Sequence, residues 1–428
     1  MDIQDFYFKL HLKTNPIIDD TTLRDGIQMP GLAAGPKEAV KIAQLLSETG
    51  VERIELYHYQ KPDKKAAHLI HKAAPDLRVA GWCRAVKEDI DSAVQCGFKE
   101  VGISHPVSFI HFKAKWSDKT PEQILSNVAE VVEYAAKTHG LSVFFHGEDS
   151  TRADWAFEKK FINTVAQAGA ECYRICDTVG IGLSDPAAPL PLGIPAKVKA
   201  IKQATSVRNI EIHTHDDFGN AVENSMAAVR AASGVWDKIY VSTTFLGIGE
   251  RAGNAETEKV ILNLYLHYGV KKFEGKTQAL TQLANFIGKS TGYIVPPNKA
   301  IVGAYGFAHE SGIHTHGVLS NPWTYEPYPP ELVGNMRRLT IGKQSGKGII
   351  EHMITELTGE APDASTLATV VAKVKEIYAG GRRASLKEEE FKRILRALSL
   401  LPETNGNGHL TMSSATEQGT ADFLKACK

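Results

Sequence analysis

Eight short β-rich apolar runs recur along the first part of the chain, at 16–22, 53–57, 78–83, 100–105, 142–149, 172–178, 210–215 and 238–245. Between most of them apolar residues return every three or four positions, most clearly at 37–49, 122–137, 159–168 and 221–232. Strand periodicity yielding to helix periodicity at roughly 30-residue spacing, eight times over, predicts an α/β fold: a (β/α)₈ TIM barrel of about 250 residues. A doubly wound open sheet is the competing arrangement, but no GxGxxG follows an early strand. The expected organisation is a barrel over 1–275, then a small C-terminal α-helical domain over 276–400 with helices at 346–358, 365–378 and 387–399. Residues 401–428, low in apolar residues and rich in Gly, Ser and Thr, read as a disordered tail.

A barrel makes a further demand: polar residues should collect where its strands end. Arg24 and Asp25 close the first run, Tyr57 and His58 the second, Arg84 the third, and Ser104 and His105 the fourth. His146 and Glu148 close the fifth, Thr178 the sixth, His213 and His215 the seventh, and Thr243 and Thr244 the eighth. Any one of these is more often a satisfied hydrogen-bonding side chain than a catalyst, but together they mark one barrel mouth. His213 and His215 are two apart in a strand, so their imidazoles share a face. Two histidines and a carboxylate form a set that holds a divalent cation with positions left open. Asp25, His213 and His215 are therefore the expected metal ligands, and such mixed donors do not choose among Mg, Mn, Co and Zn. Glycines 247, 249 and 253 permit close backbone approach to a ligand. His309, His314 and His316 form a second histidine group, less well placed for a metal than the strand pair.

Composition removes several classes. Lysine plus arginine and aspartate plus glutamate both number 49, and the pI is near 7.3, which argues against nucleic-acid or anionic-membrane partners. No apolar run approaches the ~20 residues of a membrane span, and the N-terminus lacks a secretory signal pattern. Five cysteines in 428 residues make no disulfide framework. The expectation is a reduced, cytoplasmic protein acting on small molecules.

TTLRDGIQ (21–28), DTVG (177–180), HTHDDFGN (213–220), GIGERAGN (247–254) and HESGIHTHG (309–317), in this order, resemble the isopropylmalate/homocitrate synthase family over about residues 14–350. WCRAVKEDI, HGEDSTRADW and RICDTVG also resemble its Re-type citrate synthase branch. The resemblance implies metal-dependent condensation of acetyl-CoA with a 2-oxo acid, followed by thioester hydrolysis. It implies that Asp25, His213 and His215 hold the metal, that Arg24 polarises the 2-oxo carbonyl with Gln28 beside it, and that Thr178 binds the substrate carboxylate. Glu148 would lie near the acetyl methyl, and the glycines of 247–253 near acyl-CoA. His314 and Tyr325 would enter from the partner of a homodimer, leaving the base open between His314 and Glu148. Phe144 stands where homocitrate synthases carry an arginine for the distal carboxylate, so it is expected to make an apolar wall, with His58, Arg84 and His146 as further substrate contacts. His316 replaces an aspartate usual in isopropylmalate synthases. The competing activity is a metal-dependent acyl-CoA lyase of the hydroxymethylglutaryl-CoA lyase type.

Overall fold

The eight β-rich runs become eight parallel strands that close on themselves: β1 (Ile17–Asp20), β2 (Arg53–Leu56), β3 (Arg78–Arg84), β4 (Glu100–Pro106), β5 (Ser142–Glu148), β6 (Ala170–Asp177), β7 (Asn209–Thr214) and β8 (Ile239–Thr243). Closure comes from β1 pairing with both β2 and β8, with Ile17 opposite Tyr240 and Asp20 opposite Thr243. The computed structural model describes residues 6–402, in two compact units. Tyr7–Val295 is the barrel unit, and the second runs from Pro296 with Phe6 stacked on its Trp323.

Helices return the chain from each strand to the next: α1 (Pro36–Glu48), α2 (Lys61–Ala73), α3 (Lys87–Gln95), α4 (Phe109–Lys115), α5 (Pro121–Glu133), α6 (Trp155–Ala168), α7 (Ile194–Ala204), α8 (Ala221–Ala232) and α9 (Thr257–Leu266). Their starts are written locally. Thr120 and Gln123 form a reciprocal capping box on α5, and Asp154 accepts the Phe157 N–H at the start of α6. A further helix, α10 (Leu280–Thr291), falls in the barrel unit, although the sequence reading begins the second domain at 276. The second unit holds α11 (Gly312–Ser320), α12 (Lys347–Thr358), α13 (Ala364–Ala379) and α14 (Glu388–Ala397). The last three close over Ile349, Ile350, Ile354, Val370, Val374, Phe391 and Leu395. Of the expected tail, 403–428 lies outside the described residues. No described helix is long and apolar enough to cross a membrane.

Barrel interiors are ordinarily filled with branched apolar side chains. Here the middle layer is charged. Asp19, Arg53, Glu55, Arg174 and Glu211 are completely buried. Taking such groups out of water costs several kcal/mol per ion unless they interlock, and these do. Arg174 Nη2 lies 2.7 Å from Asp19, 2.5 Å from Glu55 and 3.0 Å from Glu211, while Arg53 Nη1 lies 3.2 Å from Asp19. Three carboxylates face two guanidiniums, and burial pushes the Asp19 carboxyl well above its ordinary range, so one site can relieve the excess by taking up a proton. From this layer the Arg53 guanidinium lies over the Phe144 ring, its Cζ 3.7 Å from the centroid, with Tyr240 edge-on to that ring.

Candidate active site

The chain leaves β1 through a tight turn in which the N–H groups of Arg24, Asp25 and Gly26 all donate to the Thr21 carbonyl. That turn aims Arg24 and Asp25 over the barrel mouth. Asp25 Oδ2 comes within 3.1 Å of His213 Nε2 and 3.9 Å of His215 Nε2, and the two Nε2 atoms are 3.3 Å apart. The three expected metal ligands thus converge, and all three are buried. His213 is oriented from behind, its Nδ1 lying 2.9 Å from Ser242 Oγ, which leaves Nε2 facing the trio. Burial, then His213, lowers the His215 pKa to about 4, so its imidazole is neutral near pH 7 with a lone pair to give. Burial alone would raise the Asp25 carboxyl, but Arg24 and the two histidines outweigh it and hold the group ionised. The donor set fits a divalent cation.

A fourth group completes this centre, and the sequence reading missed it. Asn254 is buried, with Nδ2 3.4 Å from each of Asp25 Oδ2, His213 Nε2 and His215 Nδ1, while its Oδ1 has no hydrogen-bond partner. A half-turn of the amide would present that oxygen to the trio as a further ligand. The glycines expected to face acyl-CoA explain how Asn254 arrives there. Gly253 has φ +91 and a Cβ on it would lie 1.8 Å from the Gly247 carbonyl oxygen; a Cβ on Gly249 would lie 2.1 Å from Asn254 Oδ1. The room these glycines leave, Gly247 included, is filled by their own loop and not left open to a ligand.

Arg24 lies between two carboxylates, 3.2 Å from Asp25 and 3.3 Å from Glu55. The cleft over the trio, about 240 Å³, is also lined by Gln28, Trp82, Ser104, His146, Glu148, Arg174 and Thr178. Thr178 Oγ1 accepts the Asp149 N–H at 2.9 Å, leaving its own hydrogen to donate. Glu148 sits 3.0 Å from Lys115 and 3.1 Å from His111; burial raises its carboxyl, and hydrogen bonds from these two side chains, with the Lys115 charge, reverse that and leave it below its ordinary range. A second cleft of about 500 Å³ shares Trp82, Ser104 and Glu148, and continues over Arg84, Val86, Lys115, Trp116, Lys119, Ile124 and Val128.

Three expected substrate contacts are placed elsewhere. Phe144 is buried a layer below His146, packed among Arg53, Cys172 and Tyr240, because it is only the third residue of β5 and the mouth lies at the strand's far end. His58 is completely buried, its Nε2 3.0 Å from the Trp82 carbonyl and its ring 5.6 Å from Phe98. Arg84 is held by Asp89 through Nε (3.0 Å) and Nη2 (2.8 Å), outside the trio's cleft though on the second one. In the second unit His314 and Tyr325 stack at 4.0 Å, whereas His309 is buried against Glu326, so the three histidines do not gather as a metal set.

Residues 15–287 match the HMGL-like family, and residues 301–382 match the homocitrate synthase post-HMGL domain-like family. The chain is 37% identical over 386 residues to the 2-isopropylmalate synthase of Methanocaldococcus jannaschii, spanning 89% of this chain and 71% of that one. It is 36% identical over 390 residues to a homocitrate synthase of Methanopyrus kandleri, spanning 91% and 94%. A putative (R)-citramalate synthase of the same organism is 39% identical over 369 residues, spanning 86% and 69%. Among solved structures, the hydroxymethylglutaryl-CoA lyase of Pseudomonas aeruginosa shares the fold, with a TM-score of 0.52 at 18% identity over 65% of this chain and 93% of that one. The barrel, its metal-fitted mouth and the domain that follows converge on one assignment: the chain belongs to the HMGL-like family, in the group whose barrel is followed by a homocitrate synthase post-HMGL domain.

Proposed function

We propose that this chain condenses acetyl-CoA with a 2-oxo acid and hydrolyses the resulting thioester to give a 2-substituted malate. The observation that carries the reading is Arg24 beside the convergent Asp25, His213 and His215, in a chain followed by a post-HMGL domain. That second domain favours condensation over the lyase activity of a barrel alone. A divalent cation held by the trio would supply Lewis acidity to the 2-oxo acid. Arg24 offers its guanidinium where alkoxide charge builds, already oriented by Asp25 and Glu55. Thr178 donates to the substrate carboxylate. Glu148, kept ionised by Lys115 and His111, stands where it can receive a proton from the acetyl methyl. The carbanion so formed attacks the 2-oxo carbon, and water then cleaves the thioester and releases the thiol of CoA. We place the acyl-CoA arm in the second cleft, where Lys115 and Lys119 can meet phosphates and Trp116, Val86, Ile124 and Val128 line an apolar wall.

The exposed, stacked His314 and Tyr325 complete the partner's site in a homodimer with two-fold symmetry. Thiol release from acetyl-CoA across a panel of 2-oxo acids tests the reaction, and release with none of them refutes it. Mixing inactive Asp25→Asn and His314→Ala homodimers tests the sharing. After subunit exchange about half the dimers are mixed, each with one intact site, so roughly a quarter of wild-type activity should return. Recovery at background after confirmed exchange would show that His314 serves its own barrel.

A further inference from the structure

The chain leaves β5 on a residue whose backbone few side chains adopt. Asp149 has φ +66 and ψ +33, the left-handed region, and is completely buried. For most L-residues the Cβ crowds the following carbonyl there; aspartate is among the few that visit the region as single residues. Its carboxylate is fixed at both oxygens: Arg152 Nε donates to Oδ1 at 2.7 Å and the Ser108 hydroxyl to Oδ2 at 2.5 Å. Ser108 directly precedes α4, the helix that carries His111 and Lys115, 3.1 Å and 3.0 Å from Glu148. Past the last ladder pair of β5 with β6, Gly147 opposite Ile175, the Asp149 N–H leaves the ladder and donates to Thr178 Oγ1 at 2.9 Å. Two residues on, the Thr151 hydroxyl donates to Asp177 at 2.8 Å, so the ends of these two strands are stitched twice. One buried residue therefore ties the helix facing Glu148, the turn at 150–152 and, through its own backbone, the hydroxyl of Thr178.

We propose that Asp149 is a positioning residue for the condensation described above, holding Glu148 and Thr178 in register across the cleft. The inference rests on the roles given to those two residues there. Because the Asp149 N–H donates to it, the Thr178 hydroxyl serves as acceptor on that side and keeps its hydrogen for a carboxylate. A relaxed backbone at 149 would turn the N–H away from β6 and let Glu148, its immediate neighbour, rotate off Lys115 and His111. Sparsely populated backbone of this kind persists only where its surroundings over-determine it, as Ser108 and Arg152 do here. Completely buried, Asp149 acts through the two residues that meet the reactants.

The test uses the full chain with Mg²⁺, acetyl-CoA and whichever of pyruvate, 2-oxoisovalerate, oxaloacetate and 2-oxoglutarate is turned over fastest. Asp149→Ala, which loses both anchors and disfavours the left-handed backbone, should lower kcat/KM for that acid about 100-fold, through KM and kcat together. Asp149→Asn, which tolerates the conformation and keeps an acceptor for Ser108, should stay within about tenfold of the unmodified enzyme. In a Thr178→Val background the KM part of the Asp149→Ala loss should shrink to under about threefold, because the hydroxyl it serves is gone, while the kcat part, carried by Glu148, remains. Equal losses in both backgrounds, or Asn as damaging as Ala, would make Asp149 a merely structural residue and overturn the proposal. Should Asp149→Ala fail to fold, Ser108→Ala removes one anchor and should raise the KM at least about threefold; an unmoved KM would overturn it as well. Amide hydrogen exchange followed by NMR needs no turnover, and the Asp149 N–H should exchange at least about tenfold faster in Thr178→Val. Silence in thiol release with all four acids refutes the condensation; the positioning of Thr178 is then decided by that exchange, and an unaltered rate overturns it.

Discussion

Removing the Lys197 ammonium should be among the costliest single changes in the barrel unit. Lys197 on α7 and Glu158 on α6 are both completely buried, with Nζ 2.5 Å from Glu158 Oε2 and 2.6 Å from the Ser150 carbonyl. The other carboxylate oxygen accepts from Tyr173 at 2.9 Å and from the Ser150 hydroxyl. Lys197→Met keeps the length of the side chain but strands a carboxylate in a fully buried site. Breaking one side of such a pair costs about 3–5 kcal/mol, about a fifth or more of the 5–15 kcal/mol by which domains are ordinarily stable. At about 2 °C per kcal/mol for a unit of this size, thermal unfolding followed by circular dichroism should move down by about 6–10 °C. Adding Glu158→Gln to the same chain removes the stranded charge, while the amide oxygen still accepts from Tyr173 and Ser150. That double variant should regain at least about 2 kcal/mol. A single variant that loses under about 1 kcal/mol, or a double variant no more stable than the single, would refute the argument. Because Ser150 follows Glu148 and Asp149 directly, the single variant should also lose kcat/KM beyond what its folded fraction explains.

Asp25→Asn should leave the fold intact and weaken Mn²⁺ binding about 100-fold or more by calorimetry, since a neutral amide is a poor ligand for a hard cation; unchanged affinity would place the metal elsewhere. Asp20, buried between Thr22 and Thr257, has its carboxyl raised by burial to about 6, against hydrogen bonds from both. Its folded pKa exceeds the unfolded one, so its stabilisation is full below about pH 4 and lost as pH rises through 6, a difference of up to about 3 kcal/mol. Asp20→Asn should flatten this component, read as urea unfolding at pH 4.5 and 7.5, and an unaltered difference between the two pH values would count against it. Gly102→Ala drives a methyl into His146 and should cost about 1–3 kcal/mol in the same assay; a loss near zero would mean that the imidazole has room to move.

Strand periodicity made all eight strands legible, because parallel barrel strands are bounded by turns and carry their own apolar signature. The convergence of Asp25, His213 and His215 was legible for the same reason: the two histidines share parity on one strand, and Asp25 lies just beyond the end of another. Depth was not legible. Phe144 and His146 also share parity, yet one seals the lower layer and the other reaches the cleft, and alternation alone cannot say how far up the barrel a residue sits. His58 follows the end of β2 and turns behind the strands, where Phe98 and the Trp82 carbonyl receive it. Asn254 was hidden because it belongs to a loop that must first fold through three glycines, and nothing in its own neighbourhood points to β1 and β7. The charged interior was missed because Glu55, Arg174 and Glu211 stand inside otherwise apolar runs, where each by itself looks like an exposed edge.

Arg53 spread over Phe144, with Tyr240 against the same ring, shuts the lower end of the barrel. A chamber closed at that end loads from the mouth, and that imposes a queue. In the function proposed here the 2-oxo acid seats at the floor and the thioester arm lies above it, so the acid enters first and the thioester blocks its exit. The order reverses on departure: free thiol leaves before the acid product, which stays until the doorway is clear. Steady-state kinetics should therefore be sequential and ordered, with the acid product competing against the 2-oxo acid and not against acetyl-CoA.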